Sequence, residues 1–257
     1  AQLLSNSSGL VGLVDDPTFG PYICQYLAAG SLQGCAEQIF TTTEDDDRVV
    51  PPDTEFRYGG GQWQVAGGLA EAVSGKSWAA LIDEAYVQPC GVDSLAYNNH
   101  FAQTQVLGGP EASPFSYPAG FDGDPSVLAA TDNPNMEGGA YISPTDYAAL
   151  LLMHLRDGRC GDTQVLSPAA IEKMHSDRVG PAYGGTDSDE LSGYGLGWWI
   201  DGEDPSRIQD AGAFGAVPWL DLEDGYGVYV VVERTNADGE DLADQLRPLI
   251  EAQMGAS

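Results

Sequence analysis

Apolar residues in the first two thirds of the chain recur with the spacing of amphipathic helices. In Gly61–Gly75 they lie three and four positions apart, and the same spacing in Ser143–Arg156 follows a Ser-Pro pair and an aspartate, which are typical of a helix start. Both segments are therefore predicted to be helical. Four other segments are also predicted to be helical: Pro21–Phe40, Ser77–Tyr86, Ser167–His175 and Asp238–Met254.

Strand-like patterns appear towards the end of the chain. We predict strands over Gly193–Ile200, Ala213–Leu222 and Tyr226–Arg234, with a tight turn at 223–225 between the last two. The segment Leu95–Asn135 has no clear period and is rich in Gly, Pro and Asn, so we expect it to wrap a surface or line a site.

This order of elements predicts an α+β fold in which helices flank an antiparallel sheet and form a separate, mostly helical lobe. Residues 1–190 are expected to form the helical lobe. Residues 191–257 are expected to contribute strands and one helix to the α/β lobe.

The charge of the chain limits its partners. Its 257 residues include 39 acidic and only 10 basic ones, which gives a net charge of −29. Such a surface repels phosphate backbones and anionic lipids, so we expect neither nucleic acid nor membrane as a partner. The charge fits a saline environment, where salt screens self-repulsion, and it equally fits an ordinary acidic secreted protein.

The four cysteines predict disulfides rather than a metal site. Cys24 and Cys35 flank a short loop with a Gly-Ser turn, which makes them a natural pair and leaves Cys90 to pair with Cys160. The alternative is four buried free thiols. Without a C-x-x-C spacing we expect no zinc and no other metal, and paired cysteines predict a secreted or periplasmic protein.

Most short catalytic motifs do not occur in this sequence. It has no G-x-S-x-G, H-E-x-x-H or P-loop pattern, and its three histidines are scattered. A lone histidine is more often structural than catalytic. The chain also begins with Ala1 rather than Met, so we expect that a leader or a longer N-terminal segment was removed.

Five segments, in order, resemble the serine β-lactamase and penicillin-binding-protein superfamily, and in particular the esterases related to class C β-lactamases. Leu3–Leu10 resembles the family segment LLSHTSGL, and Phe56–Trp78 resembles its F-x-Y-x-N helix opening. Gly138–Met174, Tyr194–Trp199 and Asp210–Asp221 resemble the later segments, of which the last contains the third motif.

The resemblance implies acyl transfer by a serine in S-x-x-K, without a cofactor, on a small ester or amide substrate. Tyr58 matches the motif tyrosine, which moves protons with the lysine; the alternative is a buried structural tyrosine. Gly60 replaces the family's asparagine, and Gln62 or a main-chain group could compensate for the lost amide.

The third motif departs from the family pattern. Asp210 stands where lactamases carry a lysine and esterases often a histidine, so it would repel a β-lactam carboxylate; alternatively, it is a solvated strand-end residue. Gly212 matches the motif glycine, which lets the backbone approach a ligand. Ala213 would then donate the oxyanion N–H, unless it is an ordinary strand residue.

Four aromatic residues could line an acyl pocket, although core packing is the competing explanation for each of them: Trp63, Trp199, Phe214 and Trp219.

The nucleophile motif itself does not occur. The residues three positions before Lys76 and Lys173, the only lysines, are Val73 and Ala170. In the family S-x-x-K precedes the LLSHTSGL-like segment, so we expect a companion N-terminal segment or chain to carry it, and residues 1–257 alone to be inactive. The expected function is a serine esterase; the alternatives are a β-lactamase or D-amino-acid peptidase, and a non-catalytic binding protein.

Overall fold

The part of the chain that the computed structural model describes comprises residues 1–12, 19–100, 124, 127–128, 130–183, 185–186 and 191–254. Most of the segment 95–135, which is predicted to wrap a surface or line a site, therefore lies outside the described residues.

The first helical layer forms around α1 (Leu32–Thr41) and α2 (Gly60–Ser74). The helix predicted over 21–40 is two elements, a 3₁₀ helix at Gly20–Tyr26 and then α1, separated by a turn in which Gly30 has φ +94°. A side chain on Gly68 of α2 would overlap with Ala36 of α1, so this glycine allows the two helices to pack closely. Their contact buries the core of the layer, which includes Val11, Tyr22, Ile39 and Val65.

Three of the remaining described helices begin directly after a serine. Ser77, Ser143 and Ser167 are N-caps whose hydroxyl groups accept a hydrogen bond from the backbone N–H three residues later, which is why helices begin at these positions. The helices are α3 (Trp78–Ile82), which continues through a π turn (Asp83–Val87) into α4 (Gln88–Cys90), then α5 (Pro144–Leu155), α6 (Pro168–His175), α7 (Gly180–Tyr183) and α8 (Asn236–Met254).

All described strands pair antiparallel. Two small sheets join β1 (Ala96–Tyr97) to β2 (Ala140–Tyr141) and β3 (Arg159–Cys160) to β4 (Thr163–Gln164). The main sheet has five strands in chain order: β5 (Gly193–Tyr194), β6 (Trp199–Ile200), β7 (Arg207–Gln209), β8 (Ala216–Asp221) and β9 (Tyr226–Val231).

Two strand predictions need correction. Gly193–Ile200 is a hairpin of β5 and β6 rather than one strand, since the chain reverses around Gly197, whose φ is +88°. The strand predicted to begin at Ala213 begins at Ala216 instead, because residues 212–215 form a turn closed by a 3.1 Å hydrogen bond from the Gly215 N–H to the Gly212 carbonyl.

Helices cover both faces of the main sheet. Leu220 of β8 packs with Leu151 of α5 on one face, while Val217 and Trp219 pack with Ala243 of α8 on the other. The predicted α+β class, an antiparallel sheet flanked by helices, is confirmed. The domain boundary at residue 190 stays a prediction.

Both predicted disulfides form. Cys24 pairs with Cys35 within the first helical layer, and Cys90 at the end of α4 pairs with Cys160 in β3. Disulfides persist in oxidising compartments, so the pairing indicates that the protein folds in one. Among the described helices, none combines the length and the apolar character that crossing a membrane requires.

Two histidines meet where α5 packs against α6. Nδ1 of His154 lies 3.0 Å from Nε2 of His175, and the ring of Trp198 contacts both imidazoles edge-on. Burial lowers the pKa of each histidine to about 4, and the neighbouring His175 lowers that of His154 further. The folded protein therefore keeps this pair neutral at pH values where the unfolded chain would be protonated.

We expect this pair to make stability depend on pH. Between about pH 6.5 and pH 4 the unfolded chain binds protons that the folded pair does not, so the pair lowers the free energy of unfolding as the pH is lowered through this range. The contribution of the two histidines at pH 5 relative to pH 7 should be a loss of roughly 3 kcal/mol, which discounts partly exposed His175, whereas Glu137 and Asp210, whose pKa values are raised to about 7, contribute with the opposite sign. Urea unfolding of the unchanged chain and of a histidine variant at both pH values isolates the contribution of the pair.

His175→Gln should remove about half of the contribution that the pair makes to the pH dependence. His100→Gln, which changes a histidine outside the pair, is the control and should leave the dependence as it is. An unchanged difference between pH 7 and pH 5 in His175→Gln would show that the pair is not its source.

Candidate active site

The loop before α2 positions Tyr58. The side-chain oxygen of Asn6, in the LLSNSSGL segment, accepts hydrogen bonds of 3.2 Å from the Gly59 N–H and from the Gln62 amide. The other end of the Gln62 amide accepts from the N–H and the hydroxyl of Ser8. Gln62 is fully buried, and these hydrogen bonds tie the N-terminal segment to α2.

Aromatic rings surround Tyr58. Its ring centroid lies 5.4 Å from that of Trp199, 6.4 Å from that of Tyr194 and 6.5 Å from that of Phe56. Burial in this cluster, followed by the negative charges of Asp210 and Glu137, raises the pKa of the Tyr58 hydroxyl well above its usual value. The Tyr58 hydroxyl therefore stays protonated at neutral pH.

Gly60 leaves room for two polar side chains that the sequence analysis did not identify. A Cβ at residue 60 would overlap with Oε1 of Gln25 and with the carboxylate of Glu137. These groups therefore stand directly against the helix start, on the side where an asparagine at position 60 would place its amide. The hydroxyl of Tyr26, the residue after Gln25, hydrogen-bonds to Glu137.

Asp210 brings a second carboxylate to the same region. It follows β7, where its backbone N–H donates to the Pro218 carbonyl at 3.2 Å, and its side chain is half-buried. Burial raises the pKa of Asp210 to about 7. Burial and the nearby charge of Asp210 likewise raise the pKa of Glu137 to about 7. Asp210 thus follows directly on the end of β7 and is only half-buried, and its role in the pocket stays a prediction.

Gly212 and Ala213 lie in the turn that leads into β8. The Gly212 N–H donates to the Ala216 carbonyl at 2.7 Å, which is a second hydrogen bond across this turn. Ala213 is exposed, and no described residue accepts a hydrogen bond from its N–H. That N–H is therefore available to an oxyanion, although it belongs to a turn and not, as predicted, to the strand.

The four candidate pocket aromatics separate into different environments. Trp199 contacts Tyr58 directly, and half-buried Trp63 lies beside the β5–β6 turn, 3.4 Å from where a Cβ on Gly197 would stand. Phe214 is half-buried in the turn before β8. Trp219 is 0% exposed in the core between the sheet and α8, so core packing explains this residue.

The structure therefore brings Tyr58, Trp199 and Asp210 together and adds Gln25 and Glu137. One feature of the sequence could have indicated Gln25 and Glu137. Glycine stands at position 60 in place of the family's asparagine, and it leaves a volume that other polar groups fill. Among the described residues no group of three or more His, Cys, Asp or Glu side chains could hold a metal ion.

Comparisons with known proteins show the family of the chain. Residues 1–251 match the family model described as Beta-lactamase. The chain is 26% identical over 235 residues to penicillin-binding protein 4 of Amycolatopsis lactamdurans, an alignment that covers 88% of this chain and 56% of that protein. The chain thus spans little more than half the length of this curated relative.

Two solved structures show the same architecture. One is a putative β-lactamase from Bacteroides dorei, at 28% identity and a TM-score of 0.62 over 90% of this chain and 62% of that one. Simvastatin synthase from Aspergillus terreus shares the fold at 19% identity and a TM-score of 0.54, over 90% of this chain and 62% of that one. With the match of the family model to nearly all of its length, the chain belongs to the β-lactamase family, whose members include penicillin-binding proteins.

Proposed function

We propose that residues 1–257 form the tyrosine and oxyanion half of a serine acyl hydrolase, and that a segment outside this chain supplies the nucleophilic serine and the lysine of S-x-x-K. One observation carries this proposal: Tyr58 lies against Trp199, with ring centroids 5.4 Å apart, and Trp199 pairs with Gln209, so the fold brings Tyr58 to the strand end that Asp210 follows, about 150 positions away in sequence. In this family those two positions flank the reacting carbonyl.

The proposed mechanism assigns one step to each group. The serine hydroxyl attacks the substrate carbonyl and loses its proton towards Tyr58 and the lysine, and the acyl-enzyme forms as the leaving group departs with a proton. The N–H of Ala213 stabilises the oxyanion. Because Tyr58 stays protonated beside two carboxyl groups, it can take the serine proton only as its own proton passes to the neutral amine of the lysine, which then lies next to it as an ammonium.

The substrate follows from the charge of the pocket. Asp210 occupies the position from which a cation would hold the carboxylate of a β-lactam, and a carboxylate there repels one. A small ester or amide without that carboxylate is therefore favoured over a β-lactam. A D-amino-acid peptidase is the second candidate because the same acid would attract the amino group of such a substrate.

An exposed strand edge supports the companion segment. Among the described strands, β9 is the last of the main sheet and has β8 as its only partner. Val231 of β9 is an exposed apolar residue. An edge of this kind is normally paired or covered, and we propose that strands preceding the S-x-x-K helix cover it.

Turnover measurements test the proposed function. The complete protein should hydrolyse p-nitrophenyl butyrate and turn over nitrocefin far more slowly, whereas residues 1–257 alone should hydrolyse p-nitrophenyl acetate no faster than buffer. A fluorophosphonate should label one serine in the complete protein and none in the isolated chain. Absence of labelling in the complete protein would favour the third candidate, a non-catalytic binding protein in which Gly60 and Asp210 mark lost chemistry.

We also propose that the protein is secreted or periplasmic. The two disulfides support an oxidising compartment, and the net charge of −29 suits an extracellular setting.

A further inference from the structure

We infer that Asn6 is a positioning residue for Tyr58, because it holds the backbone on both sides of the tyrosine and so fixes where the hydroxyl lies. The inference rests on the proposed function, since it names the residue on which the placement of the proton-transfer group depends. Asn6 belongs to the LLSNSSGL segment, about 50 positions before Tyr58, so the contact between them is tertiary.

Hydrogen bonds to Asn6 bracket Tyr58. The N–H of Arg57, the residue before the tyrosine, donates to the backbone carbonyl of Asn6 at 2.7 Å. The N–H of Gly59, the residue after it, donates to the side-chain oxygen of Asn6 at 3.2 Å. Since both neighbours of Tyr58 are bonded to one residue, the tyrosine can shift little relative to the N-terminal segment.

The amide of Gln62 adds a third tie. Its Nε2 donates to the side-chain oxygen of Asn6 at 3.2 Å and also to the Arg57 carbonyl. Gln62 lies in the first turn of α2, so the same amide joins Asn6 to the helix whose start follows Tyr58. Asn6 and Gln62 are both 0% exposed, so water does not compete for these hydrogen bonds.

The backbone conformation of Asn6 limits which residues could take its place. Its φ is +51°, in the left-handed region that asparagine and aspartate enter more readily than most other residues with a side chain. From this conformation its carbonyl and its side-chain oxygen both reach residues 57–59. Asparagine and aspartate supply the side-chain acceptor and tolerate the positive φ, whereas glycine only tolerates the φ.

Steady-state kinetics of the complete protein with p-nitrophenyl butyrate test the inference. Asn6→Gly keeps the backbone conformation and removes the acceptor, so we expect kcat to fall about 10- to 100-fold while KM changes by less than about threefold. Asn6→Asp keeps the acceptor and should retain about a third or more of the original kcat.

Asp53→Gly is the matched control. Asp53 also has a positive φ, +60°, and its carboxylate also holds the N-terminal segment, through Gln2 and Ser7. Among the described residues, its side-chain partners include neither neighbour of Tyr58. This variant loosens the same segment without releasing the tyrosine, so its kcat should be unchanged.

A double-mutant cycle distinguishes positioning from stability. If Asn6 acts through Tyr58, Asn6→Gly should lower kcat by less than about twofold in the Tyr58→Phe background. An equal loss in both backgrounds, an Asn6→Asp variant as slow as Asn6→Gly, or the same loss in Asp53→Gly would overturn the inference. If Asn6→Gly does not fold, Gln62→Met takes its place in the cycle, because it removes the amide that donates to the Asn6 oxygen and the Arg57 carbonyl.

Amide hydrogen exchange separates this inference from the proposed function. In a complete protein that no fluorophosphonate labels, the Gly59 N–H should still exchange about tenfold or more faster in Asn6→Gly than in the unchanged protein. The Arg57 N–H donates to the backbone of Asn6 instead, so it is the internal reference and should keep its rate. That result would keep the positioning of Tyr58 and lose the acyl-enzyme, whereas equal acceleration of both amides, or of neither, would overturn the inference.

Discussion

Replacing Tyr58 by Phe in the complete protein should lower kcat/KM for p-nitrophenyl butyrate by about 10²–10⁴-fold, the range typical of losing a positioned general acid–base group. The ring would keep its contacts with Trp199 and Tyr194, so only the hydroxyl is tested. Removing it should not lower stability, because no described side chain forms a hydrogen bond with it.

Tyr86→Phe is a matched control for this variant. Tyr86 lies in the π turn between α3 and α4, outside the aromatic cluster of Tyr58, and its loss of a hydroxyl should leave kcat/KM unchanged. A Tyr58→Phe enzyme that kept a third or more of its activity would show that Tyr58 is a structural tyrosine at the helix entrance.

Restoring the family's asparagine with Gly60→Asn should damage the protein rather than improve it. The new side chain would overlap with Gln25 and Glu137, and one of these buried polar groups would have to move. We expect the free energy of unfolding to fall by about 1–2 kcal/mol, because the ends of both flexible side chains can turn aside but Glu137 then loses its hydrogen bond with Tyr26. Urea unfolding of the single variant measures the loss.

The double variant Gly60→Asn, Glu137→Ala should recover most of that stability, because it removes the carboxylate with which the asparagine overlaps. Gly75→Asn is the control: Gly75 is the left-handed C-cap of α2, where asparagine is tolerated and no atom lies within 4 Å of the new Cβ. If the double variant were no more stable than Gly60→Asn, the overlap with Glu137 would not be the cause.

Features determined by nearby residues could be predicted from the sequence. The Ser-Pro pairs at 143–144 and 167–168 define helix starts through contacts within one turn, and both helices begin there. The cysteine pairing also followed from short loop length and elimination. Tyr58 was located by the resemblance of its surroundings to a known motif.

Features that depend on tertiary contacts could not be predicted. Glu137 is one acid among 39 and lies in a glycine-rich segment without a period, so nothing local distinguishes it from a solvated residue. Gln62 seemed to be a substitute for the missing amide, but its partners Asn6 and Ser8 lie more than 50 positions earlier. The reversal around Gly197 was missed because apolar residues continue through it.

Among the described strands β9 has an open edge, which also affects how the isolated chain behaves in solution. Its sequence, Tyr226–Val231, has six residues without a charge or a proline, the composition of segments that stack into intermolecular sheets. The net charge of −29 keeps copies apart at low ionic strength, whereas about 1 M salt shortens the screening length to roughly 3 Å. Salt that relieves repulsion within one molecule would therefore let the β9 edges of two molecules pair, and dilute buffer is the better storage medium for residues 1–257.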